Sequence, residues 1–443
     1  MARGKLMILM AGSFVVVWLI AFFGFQRAQT ISEIPDLRPR KTLLGPPGEY
    51  TQLRKSVDHY RHALRAEPQK AGNYVALASL FLQEARVTGE HHECVAKAQQ
   101  LVEQALRLDP NNFEALLASA SISMTKHRFE EARAIAERAL AQNADNASAY
   151  GILTDALVEL GHYDEAVQAC DRALQLRPDL SSYARAAYLR EVHGDLDGAI
   201  AAMRLACDAG IAGHENRAWA LQQLGTLYLK KSKLDTAAFI FNGILQERPQ
   251  YAYALSGLAK VHTAHGEYQR AIELLQQAYG LVPDHAFLQF LLELHRAVGD
   301  HDSAARIGEL IVAAIQQHEE DGWQVDLEYA AFCTASESSL DSAVRRAQRE
   351  YERRPRNLDA LSTYAWALYK NDRATEAAPL IEAALRRNPS DARLHFRAGM
   401  IAAALAHSEA AAQHLRASLT THADLSLMEV QAARELLALH AGA

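Results

Sequence analysis

Histidine is the residue type in this chain best suited to metal binding or acid–base chemistry. The sequence holds 19 histidines in 443 residues, and imidazole and thiolate side chains that lie close together can act as zinc ligands. Three such groups occur: His59 with His62, His91 with His92 and Cys94, and His262 with His265. None of them offers a third and a fourth ligand at a recognised spacing. The sequence therefore predicts no metal site, and a metal-responsive module that uses these groups is kept as the alternative interpretation.

Motifs that mark common catalytic sites do not occur in the sequence. It has no glycine-rich phosphate loop, no G-x-S-x-G serine and no H-E-x-x-H zinc helix. Adjacent carboxylates such as Glu130 and Glu131 fall at turns, where a solvated surface is expected. The sequence predicts no catalytic residue, no cofactor and no enzyme activity.

The charge balance argues against nucleic acid as a partner. The chain carries 46 basic and 53 acidic residues, which give a formal net charge of −7 at pH 7. Proteins that bind phosphate backbones need a positive field, and this composition supplies none.

Residues 147–178 show the kind of element that must position any binding site. Four residues at helical spacing share one face, and after Gly161 four more residues share a second face. The first set is Tyr150, Leu153, Thr154 and Leu157, and the second is Tyr163, Ala166, Cys170 and Ala173. Pro178 ends the second helix, because proline has no N–H and restricts the residue before it. The segment is predicted to be a helical hairpin.

The same hairpin pattern recurs along the chain with one period. Pro249 and Pro283 are 34 residues apart, and so are Pro355 and Pro389. One clear copy reads Leu221, Leu224, Gly225, Tyr228, Ala237, Phe241 and Pro249. This order of large, small and proline residues resembles the tetratricopeptide repeat family, and the resemblance runs from about Tyr50 to the end of the chain. It implies an all-α, right-handed solenoid of about nine to ten hairpins, in which each hairpin packs on its neighbours.

Departures from the repeat mark the ends and the joints of the solenoid. Residues 48–68 read as a single capping helix, and residues 425–439 as a last helix that covers the other end. The first repeat has eight surplus residues, which we expect in a loop around residues 89–93. The polar residues 316–322 are either a longer helix end or a joint. We favour the joint, which divides the solenoid into an N-terminal part, residues 49–320, and a C-terminal part, residues 321–443.

An apolar run precedes the repeats. Residues 6–25 contain no charge, and twenty residues at about 1.5 Å each span about 30 Å, the thickness of a bilayer core. We interpret residues 1–25 as an N-terminal transmembrane anchor, with a cleaved signal peptide as the alternative. The Pro-rich residues 26–48 are expected to be a linker that holds the solenoid off the membrane. Basic residues hardly decide the orientation, and an extracytoplasmic, periplasmic solenoid is preferred.

The resemblance also implies where a partner binds. In this family the first helix of each repeat lines a concave groove, and the positions that face it are rich in aromatic residues here. Such a surface suits an apolar helix or an extended peptide. The residues expected to bind the partner are Trp219, Gln222, Tyr253, Lys260, Phe332, Trp366, Tyr369 and Phe396. Polar residues at the same positions include Glu328, Asp359, Ser362 and Arg393. We expect about half of the aromatic residues to bridge neighbouring repeats instead.

These features together predict a membrane-anchored adaptor that holds a protein or peptide in its groove during assembly of a membrane or envelope complex. The alternative is a regulatory or metal-responsive module of a membrane enzyme system. A scaffold for glycan synthesis or secretion would differ from the first reading only in its partner.

Overall fold

The computed structural model describes residues 33–40, 42, 44–46, 48–420 and 425–441. Across these residues the chain forms 22 α-helices and no strand. One capping helix is followed by ten hairpins and a last helix. The helices are α1 (Glu49–Ala66), α2 (Ala71–Thr88), α3 (His91–Leu108), α4 (Phe113–Thr125), α5 (Phe129–Gln142), α6 (Ala147–Glu159), α7 (Tyr163–Leu176), α8 (Leu180–Val192), α9 (Leu196–Ala209), α10 (Glu215–Lys230), α11 (Leu234–Glu247), α12 (Ala252–Ala264), α13 (Tyr268–Leu281), α14 (His285–Ala297), α15 (His301–Glu320), α16 (Asp326–Ser336), α17 (Leu340–Arg353), α18 (Leu358–Lys370), α19 (Ala374–Arg387), α20 (Ala392–Ala404), α21 (Ser408–Thr420) and α22 (Leu427–Ala441).

Short polar residues and glycines set the helix limits. The side chain of Asn146 accepts a hydrogen bond from the Ala149 amide at 2.9 Å, and Asn112 and Asn357 cap α4 and α18 in the same way. These caps satisfy amides that have no partner in the first turn of a helix. Within the third hairpin, Gly161 makes the turn with a φ of 76°. The predicted all-α repeat architecture is confirmed.

Two stretches expected to be irregular are helical instead. The eight surplus residues of the first repeat lengthen α2 and α3 to 18 residues each, against 13 and 14 in α6 and α7. Only Gly89 and Glu90 separate the two helices, so the predicted loop is wrong. Residues 316–320 continue α15, because no proline or glycine interrupts them before Gly322, whose φ is 77°. The longer helix, not the joint, is what forms.

The described residues among 33–46, which we call the N-terminal strap, pack on the repeats. Leu37 and Leu44 are 5% and 7% exposed. Nη2 of Arg40 lies 2.6 Å from Oε2 of Glu84, and these two side chains are 6% and 5% exposed. Since removal of either partner would leave a buried charge, this pair holds the strap in place. The described half of the expected linker is therefore part of the fold and not a free spacer.

The solenoid turns back on itself, so that the turns of the early hairpins contact the loops between the late ones. We call this boundary the seam. Its contacts join residues about 195 positions apart. They place Gly89 on Val282, Lys126 and Arg128 on residues 321–324, residues 159–161 on residues 354–357, and residues 191–194 on Asn388 and Ser390. The strap extends the seam, because Leu44 accepts a hydrogen bond from Arg248.

Close approach at the seam explains one glycine beyond its φ. A Cβ on Gly161 would lie 2.5 Å from the carbonyl carbon of Arg356 and 2.6 Å from the amide nitrogen of Asn357. Neither backbone atom can move without moving the loop. Gly161 therefore serves the hairpin turn and the seam at once.

The last helix does more than cover the end of the solenoid. Helix α22 packs on α20 and α21 and also reaches α14 of the seventh hairpin. Leu425 and Ala433 are buried with Phe396 and Trp366. The predicted capping helix is confirmed, and its contact with α14 closes the inner side of the second turn.

Among the described helices, none combines the length and the apolar character that crossing a bilayer requires. The predicted anchor, residues 1–25, lies outside the described residues.

Substitution of Ala166 tests the packing register of the repeat. Ala166 is fully buried on α7, so Ala166→Arg forces a charge into a close helix contact and should cost more than about 3 kcal/mol of unfolding free energy. Chemical denaturation followed by circular dichroism measures this change. Gln168→Arg, at an exposed position of the same helix, is the control and should change stability by less than about 0.5 kcal/mol. A similarly small effect of Ala166→Arg would show that the register is wrong.

Candidate partner-binding site

A cavity of about 550 Å³ lies on the inner side of the superhelix. First helices from seven hairpins contribute to its wall, together with the loops of the seam. Its lining includes Tyr188, Glu191, Lys230, Gln289, Glu328, Ala331, Asp359, Ser362, Arg393 and Arg397. Most of these side chains are polar. The cavity therefore offers hydrogen-bond donors and acceptors of both charges, beside apolar side chains such as Leu327 and Leu394.

Lys230 and Arg397 line the cavity from helices that are far apart in the sequence. Lys230 of α10 forms an ion pair with Glu191 of α8 at 2.7 Å. On α20, Nη1 of Arg397 donates to Oγ of Ser362 at 2.6 Å, and its guanidinium lies 5.5 Å from the Trp366 ring. Burial, and then the nearby Arg393, lower the pKa of Arg397 to about 10. Arg397 still carries its charge at neutral pH, at a considerable desolvation cost.

One wall of the cavity is shared with the seam. Glu328 lines the cavity and lies 3.2 Å from Nδ1 of His127, which belongs to the second hairpin. Further along, Tyr163 accepts a hydrogen bond from the Leu358 amide at 3.0 Å, and both residues line the cavity. The shape of the cavity thus depends on how the two turns are docked.

Aromatic residues of the ninth and tenth hairpins pack against each other. The Trp366 ring lies 4.9 Å from Tyr369 and 5.6 Å from Phe396. Trp366 and Phe396 are 9% and 2% exposed, and they share a cluster with Leu425 and Ala433. None of the three aromatic residues is among those that line the cavity. Their structural role is to pack the second turn, and their predicted contact with a partner stays a prediction.

Phe332 does not face the groove as expected. Its ring is 9% exposed and points at α15, where a Cβ on Gly308 would lie 3.7 Å away. The neighbouring Ala331 and Glu328 face the cavity instead. Phe332 follows Ala331 by one residue, so its side chain lies about 100° further round α16.

The remaining predicted residues lie on α10 and α12. Trp219 is 39% exposed, and Gln222 bonds Oγ1 of Thr226 at 3.2 Å. Tyr253 donates to Asp284 at 3.2 Å, and Lys260 is exposed. None of these four lines the 550 Å³ cavity, so the structure does not unite all eight predicted residues into one surface.

Sequence reasoning identified some cavity residues and missed others. Four polar residues at the groove positions do line it: Glu328, Asp359, Ser362 and Arg393. The others named above were missed: Tyr188, Glu191, Lys230, Gln289, Ala331 and Arg397. Lys230 and Arg397 lie on first helices, about one helical turn beyond predicted groove positions. Extending the template by one turn could therefore have found them.

The described histidines do not form a candidate metal site. Among the described residues, no group of three or more His, Cys, Asp or Glu side chains could hold a metal ion. His59 and His62 are exposed on α1, and His262 pairs with Glu267 at 2.5 Å. The described Cys94 is buried, and its burial raises the pKa of the thiol to about 12. Such a thiol is a poor metal ligand at neutral pH.

Trp366→Ala separates a packing role from partner binding. Because the ring is buried against Tyr369 and Phe396, its loss should cost about 3–5 kcal/mol of stability, measured as a lower unfolding temperature. Tyr369→Ala, at a partly exposed ring, should cost less. Partner affinity per folded molecule, measured on the same variants, tests the groove prediction: a loss of about 2 kcal/mol or more would support it, and unchanged affinity would contradict it at this position.

Comparisons with known proteins identify the repeat. A family profile described as tetratricopeptide repeat matches residues 95–154, 123–191 and 228–278, and a second profile of the same description matches residues 363–425. Cellulose synthase operon protein C from Pseudomonas fluorescens (strain SBW25) is 28% identical over 185 residues. The aligned stretch covers 40% of this chain but only 14% of that relative.

Solved structures of similar fold have low sequence identity. A tetratricopeptide repeat protein from Parabacteroides merdae is 18% identical, with a TM-score of 0.36 and coverage of 59% of this chain and 98% of that one. Yeast Tom70 is 13% identical, with a TM-score of 0.35 and coverage of 87% and 92%. The human IFIT1 dimer with m7Gppp-AAAA is 14% identical, with a TM-score of 0.45 and coverage of 85% and 88%. The profile matches and the ten hairpins together show a protein built from tetratricopeptide repeats.

Proposed function

We propose that this protein is a non-catalytic scaffold that binds a segment of a partner protein in the central cavity. The observation that carries this proposal is the cavity of about 550 Å³, to which the first helices of seven hairpins contribute. That volume lies within the roughly 300–1,000 Å³ range of ligand sites. Superhelices of this repeat family present such inner surfaces to proteins.

The lining favours an extended peptide of mixed charge over an apolar helix. Ser362, Gln289 and Tyr188 offer hydrogen bonds to a peptide backbone, and Arg397 and Asp359 offer one charge of each sign. The aromatic rings that would hold an apolar helix are largely packed away. The partner expected here is therefore a polar, extended segment.

Membrane anchoring completes the proposal. We place residues 6–25 in the lipid bilayer and the solenoid on the extracytoplasmic, periplasmic side, in an assembly of the membrane or envelope. Support comes from the length and apolar character of that stretch of sequence. The relative named for a cellulose synthase operon makes components of a glycan-synthesis system suitable first candidates in a search for the partner.

A bulky residue in the cavity tests the binding site. Ala331 is exposed and lines the cavity, so Ala331→Trp should fill part of it without disturbing the packed core. Capture from solubilised membranes with the full chain should recover a partner that the variant binds at least about tenfold more weakly, equal to about 1.4 kcal/mol. Ala201→Trp, at an exposed position on α9, is the control and should bind normally. Equal capture by all three proteins would exclude the cavity as the site.

Removal of residues 1–25 tests the anchor. The full chain should sediment with membranes, whereas the shortened chain should appear in the soluble fraction with unchanged helicity by circular dichroism. Folding should survive because the strap, whose Arg40 pairs with Glu84, is retained. Equal recovery of both chains in the soluble fraction would contradict the anchor. A secreted phosphatase fused to the C-terminus, active only where its disulfides form, should report an extracytoplasmic solenoid.

A further inference from the structure

Four imidazoles and one indole meet at the seam. The indole of Trp323, in the loop between α15 and α16, stacks on His318 at 4.5 Å. It also lies 6.0 Å from His127 and 6.2 Å from His91. His285 is 6.2 Å from His318. We call these four histidines around Trp323 the histidine cluster.

The cluster bridges the two turns of the superhelix. His91 and His127 belong to the first two hairpins, whereas the other members belong to the seventh hairpin and to the loop that follows it. Around the cluster, residues 321–324 are docked on the first turn by hydrogen bonds. The Gln324 amide donates to Lys126 O at 3.0 Å, Nζ of Lys126 donates to Asp321 O at 2.9 Å, and Arg128 donates to Gly322 O at 2.8 Å.

His127 has a left-handed backbone conformation, as Ser232, Asp372 and Ala406 do at the same turn of other hairpins. It has a φ of 58°, at the hairpin turn where the third and fourth repeats have Gly161 and Gly194. A side chain there is strained, and this one is placed to contact the other turn. Its Nδ1 lies 3.0 Å from Gln324 O and 3.2 Å from Glu328. Burial alone would lower the pKa of His127, but its hydrogen bond and attraction to Glu328 outweigh burial and leave that pKa raised.

The other imidazoles of the cluster are half-buried, and they have few hydrogen-bond acceptors and several imidazole neighbours. Burial, then His285 and His91, lower the pKa of His318 to about 4, and Asp321 offsets this only in part. Burial also lowers the pKa of His91, with Asp284 opposing and His285 adding to the effect. Nδ1 of His91 is buried and has no hydrogen-bond partner among the described residues. A proton on either ring would have no carboxylate directly bonded to it.

We propose that His91 and His318 of the histidine cluster form an acid-sensitive latch, which keeps the two turns docked while these two imidazoles are neutral and lets the seam open as they are protonated. The sign follows from proton linkage. In an open seam the rings of His91 and His318 face water and titrate near 6.5, whereas in the closed seam they take up protons only at lower pH. Their contribution to docking is therefore fully present above pH 6.5 and is lost as the pH falls from 6.5 toward about 4.

Two contacts across the seam have the opposite sign. His92 of α3 lies against Asp321 and attracts it when the imidazole is charged, and a proton on His127 strengthens its contact with Glu328. They do not cancel the effect, because the largest change is at His318, whose pKa falls to about 4.

The His127–Glu328 pair keeps its attraction over most of this range, because burial raises the pKa of Glu328 but His127 lowers it further, leaving it below its usual value. At the far end of the second turn, burial raises the pKa of Glu293 to about 7, so acid relieves a buried charge there. Opening is therefore expected at the cluster and not at the end near α22.

Opening of the latch would reshape the central cavity, because His285 and Glu328 line it. A segment bound there would be released in acid. This consequence rests on the proposed function, whereas the latch itself rests only on the seam.

Hydrogen–deuterium exchange of the full chain in mild detergent tests the latch. Protection of peptides that contain the Gln324 amide and residues 126–129, corrected for the chemical exchange rate, should fall about tenfold or more between pH 6.5 and pH 4, since one pKa unit corresponds to a factor of ten. Helix α21, in the tenth hairpin and away from the seam, should keep its protection. Uniform loss everywhere, or no loss at the seam, would overturn the proposal.

Matched variants decide whether the histidines cause the change. His91→Gln combined with His318→Gln keeps neutral side chains and should retain seam protection through the same pH range. His265→Gln combined with His407→Gln, at exposed positions, should behave like the wild type. If the cluster variant loses protection in acid as the wild type does, or is already open at neutral pH, the latch is refuted. Because the readout needs no partner, its failure is distinct from failure of the binding proposal.

Discussion

Contact between residues about 195 positions apart is the constraint on which the rest of this structure depends. A buried ion network illustrates it. Arg354, only 7% exposed, lies 2.7 Å from Glu159 of the first turn and 2.5 Å from Glu350 of its own helix, and its guanidinium lies 4.8 Å from the Phe129 ring. Such a network is costly to break, because the loss of one member strands a buried charge.

This closure distinguishes the protein from an open solenoid. In an open array each hairpin contacts only its neighbours, and stability is a sum of local terms. Here the second and third hairpins also contact residues far along the chain, through Lys126, Glu159 and Tyr163. Closure also explains the character of the inner surface. Apolar rings such as Trp366 and Phe396 are buried. The 550 Å³ cavity keeps many polar side chains in its lining, which tolerate water.

Local rules predicted most of the fold and little of the seam. Helical spacing, caps and the 34-residue period placed the hairpins, because those features are encoded within each repeat. The strap and the docking of residues 321–324 could not be read in this way, since they depend on how far each hairpin rotates on the next. The same limit applies to the site. Ser362 and Asp359 were placed on the cavity wall by position alone. On α16, Ala331 was missed and the adjacent Phe332, which faces away from the cavity, was chosen. The preference for aromatic residues also favoured buried positions in the predicted site. Large apolar rings such as these pack against neighbouring helices and do not stay exposed to a partner.

The hydrogen bond between Arg248 and the carbonyl oxygen of Leu44 has a consequence for biosynthesis. These residues are 204 positions apart, and a ribosome that adds roughly 5–20 residues per second needs roughly 10–40 s to make the chain between them. Throughout that interval the strap, with Leu44 and the neighbouring Val87, faces solvent without its final cover. The early hairpins can form their helices as they emerge, but the surface on which the second turn docks waits longer still. During synthesis the first turn therefore exposes apolar surface that the second turn will later cover. In this interval a chaperone, or another nascent chain on the same polysome, can bind that surface.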